Sequence, residues 1–225
     1  AMSTRPRITF DKQGWCNACV WREKKKKLDW DARQIKLENL LNKHRKDDGS
    51  YDCLVPCSGG KDGSYVAYNL KHKYGMNPLT ITWHPILYTD YGYQNYNNWI
   101  DIGGHDNVMY KPNGRVIKLL TKLAVENLLH PFQTFMLGQF NLAPKIAARF
   151  KIPLIMYGEA PAEYGSAIAE NETSLKNKAF YSYDNIDEIF LGGVSVRELK
   201  ERYEVPLVDI MTYLPPSIDE IKLIF

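Results

Sequence analysis

Between residues 57 and 64 the chain reads Cys-Ser-Gly-Gly-Lys-Asp-Gly-Ser, a concentration of residue types that handle anions. Gly59 and Gly60 allow a turn with no Cβ in the way. Ser58 and Ser64 offer hydroxyl donors, Lys61 a positive charge, and Asp62 a carboxylate able to hold Mg2+. A backbone N–H cradle followed by a helix start is an anion site, because the first amides of a helix lack intrahelical acceptors and the helix dipole favours negative charge there. The order Gly-x-x-x-x-Gly-Lys-Ser/Thr is absent, so this is not a Walker loop. A second cluster is Cys16-Asn17-Ala18-Cys19, whose spacing suits half of a tetrahedral zinc site, a redox pair, or an unligated reduced pair.

These residues need elements to position them. Asp52-Cys53-Leu54-Val55-Pro56 is a short apolar run suited to a buried parallel strand. The Gly-rich loop follows, then a helical stripe of Val66, Ala67, Leu70 and Tyr74, closed by Gly75 and Pro78. Further strands are expected at 79–83, 107–110 and 153–157, with helices at 95–102, 116–128 and 142–150 between them. Asn113-Gly114 reads as a turn. Strands alternating with helices predict an α/β fold, a parallel sheet with helices on both faces. Gly158 and Glu159 follow the fourth strand at the carboxyl edge, where open α/β sheets bind ligands; Glu159 is a candidate for Mg2+ or sugar hydroxyls, or a plain loop acid. Gln139 and Lys145 bracket a loop and helix start, with Lys145 either meeting polyphosphate or solvated. Tyr88, Tyr91, Tyr93, Tyr96 and Trp99 form an aromatic group that suits sugar stacking, a lid or core.

Residues 1–48 form a separate N-terminal segment, with a basic run Lys24–Lys27 and a helix opening at Asp31, while 49–225 form the nucleotide-binding domain. Ser195-Val196-Arg197-Glu198 is a capping box whose helix stops at Pro206, and Pro215 to Glu220 signals another helix start close to Phe225. The chain is therefore read as truncated at its C-terminus. Of 225 residues, 44% are hydrophobic and 24% charged, with net charge +3, which excludes disordered and disulfide-scaffold classes and gives no argument for nucleic acid. No apolar run approaches the ~20 residues of a membrane span. Four cysteines and no secretory leader point to a reducing, cytoplasmic setting.

The Ser-Gly-Gly-Lys-Asp loop resembles the PP-loop Ser-Gly-Gly-x-Asp-Ser of the ATP pyrophosphatases, related in fold to the adenine-nucleotide alpha hydrolases; Gly63 stands where that pattern has Ser, with Ser64 one place later. More narrowly, Arg5-Pro6-Arg7-Ile8-Thr9-Phe10-Asp11, Cys16–Cys19, Ser50–Pro56, Tyr74–Leu79, Thr82-Trp83, Tyr88-Thr89-Asp90, Pro131-Phe132, Gly138-Gln139 and Ile152–Ile155 resemble the N-acetyl sugar amidotransferases. The resemblance implies ATP and Mg2+ bound at Ser58–Ser64, with Lys61 and Asp62 catalytic. It places Trp83 and His84 along an adenine pocket, mostly through backbone atoms. The implied reaction turns a sugar acetamido group into an acetamidino group in surface polysaccharide synthesis. Ammonia would come from a glutaminase partner through a cyclase-like barrel subunit, and the second substrate would be a nucleotide sugar. Two other readings stay open: a tRNA-thiolating PP-loop enzyme, and a nucleotide-binding module without activity.

Overall fold

The computed structural model describes residues 8–159 and 185–216. They divide into two compact units, one holding residues 8–43 and Glu159, the other residues 44–158 and 185–216.

The first unit opens with a tight hairpin. The Asp11 carboxylate accepts from the Gln13 and Trp15 amides at 2.9 Å each, Gly14 takes a positive φ of 79°, and Asn17 N–H donates to the Thr9 carbonyl. The turn delivers Cys16 to the start of α1 (Asn17–Lys26). Lys24, Lys25 and Lys26 fill its last turn, where the carbonyl end of the helix dipole favours cations. The basic run is therefore a helix terminus. Helix α2 (Trp30–His44) follows, one residue before the expected Asp31 start.

The second unit is built on a parallel sheet. Strand β1 (Cys53–Pro56) pairs with β2 (Pro78–Trp83), which pairs with β3 (Asn107–Tyr110), all parallel. Every residue of β2 is buried, as a central strand requires. The expected fourth strand is present as a short parallel bridge on the free edge of β1: Leu54 N–H donates to the Leu154 carbonyl and Met156 N–H to the Leu54 carbonyl, each at 2.9 Å. The order across the sheet is thus 154–156, β1, β2, β3.

Helices cover both faces. Leu54, Leu79, Ile81 and Trp83 point to one side, into a core shared with Val116, Leu120 and Leu123 of α5 (Gly114–Leu128) and Leu142, Ala143 and Ala147 of α6 (Gln133–Phe150). Cys57, Thr80 and Thr82 belong to the other side, against α3 (Lys61–Tyr68) and α4 (Asp90–Asp101). This second interface is polar. Asn107 donates to Thr80 Oγ1 and Thr82 Oγ1 at 3.0 Å, and the Tyr96 hydroxyl donates to Asn107 Oδ1 at 2.8 Å. The network satisfies the buried threonines, whose orphaning would cost ~1–3 kcal/mol each.

Several boundaries differ from expectation. Helix α4 begins at Asp90, not Asn95, because Thr89 Oγ1 caps it by accepting from Gly92 N–H. Asn113 caps α5 and Gly114 is its first residue, so that pair is a helix start. Helix α6 starts at Gln133, not Leu142; Pro144 lies inside it, and core packing of Gly138, Asn141 and Leu142 holds the helix through it. The hairpin β4 (Phe190–Leu191) and β5 (Val194–Ser195) turns on Gly192 and Gly193, both at positive φ. Ser195 then caps α7 (Val196–Glu201) as the capping box predicts, although the Glu198 carboxylate engages Arg202. A last short helix, α8 (Leu207–Met211), follows Pro206. The helix start expected at 215–220 lies outside the described residues from Ser217 on, as do Arg5, Pro6 and Arg7.

Candidate functional site

The parallel sheet puts the ends of all its strands at one edge. From β1 the chain builds β2 and β3 on one side, then returns to lay 154–156 on the other. The strand order therefore reverses beside β1, and connections leave the two neighbouring strands in opposite directions. Open α/β sheets bind ligands in the crevice that this creates. The loop 57–60 and Gly158 stand at that point.

Three close approaches shape the loop. Gly59 has φ of 83°, and a Cβ there would meet the Tyr96 backbone at 2.9 Å. A Cβ on Gly63 would lie 2.8 Å from the Pro56 carbonyl oxygen and 3.1 Å from Cys57 Cα. A Cβ on Gly158 would lie 2.7 Å from the Asp62 carbonyl carbon and from Gly63 N. Glycine at 63 thus seats the first turn of α3 directly on the end of β1, where the serine of the PP-loop pattern would not fit. Glycine at 158 lets the chain after residue 156 pass against that same turn.

Gly60 is the N-cap of α3, in extended conformation, and no side chain caps the helix. Its first intrahelical bond runs from Ser64 N–H to the Gly60 carbonyl at 3.1 Å. The amides of residues 61–63 precede it, and these are the groups a helix offers to an anion. Ser58 and Gly60 are exposed. The Lys61 ammonium donates to both Asp62 carboxylate oxygens at 2.8 Å, with the two side chains 87% and 45% exposed. Ser64 Oγ lies 3.5 Å from Cys57 Sγ. Burial pushes the Cys57 thiol above its usual range, and Cys53 is pushed up to about 12 by the same cause. Neither is an activated nucleophile.

The other expected residues fall in distinct places. Trp83 is core: its ring stacks on Tyr110 with centroids 5.5 Å apart and fills a space that exists because α6 has glycine at 138, where a Cβ would lie 2.1 Å from the ring. His84 is half-buried beyond β2, with Nδ1 2.6 Å from the Pro85 carbonyl and its ring edge-on to Tyr88. Gln139 and Lys145 lie within α6 and do not bracket a loop. Lys145 Nζ donates to the Met211 carbonyl, tying α6 to α8. Glu159 is exposed, next in the chain after Gly158. Tyr88, Tyr93 and Tyr96 pack ring to ring within 6.1 Å, Tyr96 and Trp99 are buried, and Tyr91 and Tyr93 remain exposed. The aromatic group is thus part core and part surface. Tyr96 and Asn107 support the loop from below through Gly59. The sequence signalled this only through polar residues in an otherwise apolar strand pattern, Thr80, Thr82 and Asn107.

In the first unit, Cys16 Sγ and Cys19 Sγ are 3.3 Å apart. A tetrahedral structural zinc takes four such ligands, of which this pair would be two. Among the described residues no group of three or more His, Cys, Asp or Glu is gathered to hold a metal. Also among them, no helix is long and apolar enough to cross a membrane.

No family model matches the chain. An uncharacterized protein of Methanocaldococcus jannaschii is 27% identical over 86 residues, covering 29% of this chain and 31% of the relative. The chain thus spans about a third of the length of the relative it matches.

Proposed function

We propose that the β1–α3 turn binds the β- and γ-phosphates of ATP, and that the protein is an ATP-dependent amidotransferase of the pyrophosphate-forming type. One observation carries the reading: an uncapped helix start, framed by Gly59, Gly63 and Gly158, at the point where the strand order reverses. The resemblance of the surrounding motifs to the N-acetyl sugar amidotransferases supports the choice of reaction.

An amide is a poor electrophile, and ammonia cannot displace its oxygen directly. In the proposed reaction the acetamido oxygen attacks the α-phosphorus of ATP, the bond to the β-phosphate bridging oxygen breaks, and pyrophosphate leaves. Ammonia adds to the resulting imidoyl carbon, the carbon–oxygen bond breaks, and AMP departs, leaving the amidine. Such a step asks the protein for positioning and for stabilisation of the leaving charge. The amides of residues 61–63 and the Lys61 ammonium are suited to the second task. Lys61 would exchange its Asp62 partner for phosphate, and Asp62, half-exposed, would then be free to hold Mg2+, which supplies further charge neutralisation. The exposed Tyr91 and Tyr93 are suited to stack on a sugar. The cysteine pair offers half a zinc site, and no step is assigned to zinc.

Within this reading the setting is cytoplasmic, ammonia comes from a glutaminase subunit through a cyclase-like barrel subunit, and the acceptor is a nucleotide-linked acetamido sugar of surface polysaccharide synthesis. The test is incubation of the protein with ATP, Mg2+, a UDP-acetamido sugar and ammonium. AMP and the amidine product are expected in equal amounts. ATP binding without AMP release would instead identify an inactive nucleotide module.

A further inference from the structure

The hairpin at residues 9–17 serves no part of the reading above, yet it holds two sulfurs in contact. Cys16 Sγ and Cys19 Sγ are 3.3 Å apart as free thiols, and a disulfide needs them at about 2 Å. Cys16 caps α1: its sulfur accepts from the Cys19 amide at 3.4 Å, which fixes its rotamer toward its partner. The cap is itself held from behind, because Phe10 pairs with Cys16 and the Asp11 carboxylate ties down the intervening turn. Access is unequal. Cys16 is 2% exposed, while Cys19 is open to solvent. The other two cysteines, Cys53 and Cys57, are buried and lie in the other unit.

We propose that Cys16 and Cys19 form a redox-active dithiol that closes to an intrachain disulfide in exchange with a small-molecule disulfide of the glutathione type. Hydrogen bonds from the Cys19 amide and thiol favour the thiolate on Cys16, and the bond its thiol makes raises the Cys19 pKa, but only Cys19 is open to solvent. Cys19 therefore passes its proton to Cys16, and its thiolate attacks one sulfur of oxidised glutathione, forming a mixed disulfide and releasing one glutathione thiolate. The Cys16 thiolate then attacks Cys19 Sγ, forming the Cys16–Cys19 bond and releasing the second glutathione. The two protons of the protein thiols end on the two glutathione molecules. The pair loses two electrons and the small disulfide gains them. Preset contact between the sulfurs makes the second step intramolecular, so the mixed disulfide is short-lived.

The test uses the folded full chain across a series of oxidised-to-reduced glutathione ratios, quenched with acid, alkylated and mapped by mass spectrometry. Trypsin cuts after Lys12 and Arg22, so both cysteines fall in one peptide, 13–22. The expected product is that peptide lighter by two hydrogens, with Cys53 and Cys57 fully alkylated after denaturation. In Cys16→Ser the mixed disulfide at Cys19 should persist, and in Cys19→Ser the chain should take up glutathione far more slowly. Far-ultraviolet dichroism of both variants checks that they fold; should Cys16→Ser disturb the cap, Cys16→Ala repeats the measurement. A pair that stays reduced at every ratio, a disulfide between chains, or equimolar zinc on the isolated protein that blocks oxidation would each overturn the proposal.

Discussion

Replacing Gly63 by alanine sets two physical effects of opposite sign against each other. Helix propensity and the stiffer unfolded chain favour alanine by up to about 1 kcal/mol. Packing opposes it. The new Cβ would lie 2.8 Å from the Pro56 carbonyl oxygen and 3.1 Å from Cys57 Cα. These are atoms at the end of a strand whose residues Cys53, Leu54 and Val55 are fully buried, so they do not swing aside as a flexible side chain would. Relief requires α3 to lift from β1 by roughly half an ångström, and overpacking of that kind costs ~1–3 kcal/mol. The packing cost wins, and Gly63→Ala should be less stable than the parent by ~1–2 kcal/mol in urea titration, with an unchanged slope. Gly63→Ser, which restores the residue of the PP-loop pattern, should lose as much. Gly114→Ala is the control: it stands at the first position of α5 with nothing within 4 Å of its Cβ, and should be neutral or stabilising. If Gly63→Ala gains stability as propensity alone dictates, the close seating of α3 on β1 is wrong.

Three further outcomes follow from the same reasoning. Gly138→Ala drives a Cβ into the Trp83 ring at 2.1 Å and should destabilise by ~2 kcal/mol or more, with loss of near-ultraviolet dichroism. Gly158→Ala presses on the Asp62–Gly63 peptide at 2.7 Å and should weaken ATP binding in isothermal titration several-fold, more than it lowers stability. His105 is 3% exposed, stacked on Trp99 at 4.1 Å, with neither ring nitrogen hydrogen-bonded. Burial, reinforced by Lys71 and His72, lowers its pKa from 6.5 to about 4, against a weaker pull from Asp106. The unfolded chain therefore binds the extra proton first as pH falls. Stability is full above about 6.5 and declines as pH falls through 4, by up to ~3 kcal/mol. His105→Phe keeps the stack and should flatten denaturation midpoints across that window.

The alternation of strands and helices was legible because β1, β2 and β3 are short apolar runs bounded by turn residues, and the Gly-rich loop announced itself by composition. Boundaries set by a single cap were less so: Thr89 caps α4 so that it begins at Asp90, five residues before the expected start at Asn95. The start of α6 was also missed: the helix expected from Leu142 begins at Gln133, and buried contacts of Thr134, Gly138 and Asn141 carry its first turns. Trp83 shows the limit for sites. The resemblance puts it along an adenine pocket mostly through backbone atoms, while the place of its ring in the core depends on the glycine at 138, from a distant helix. Likewise Gly63 looked like a departure from a motif in sequence, whereas the proximity of Pro56 makes it a packing requirement.

The phosphate cradle itself is tested most directly by amide chemical shifts on addition of pyrophosphate. The largest changes should fall on the backbone N–H groups of residues 59–64, with Gly158 next, and Lys61→Met should reduce the affinity. Saturating pyrophosphate that leaves those amides unmoved, or moves only a set remote from β1 and α3, would contradict the assignment.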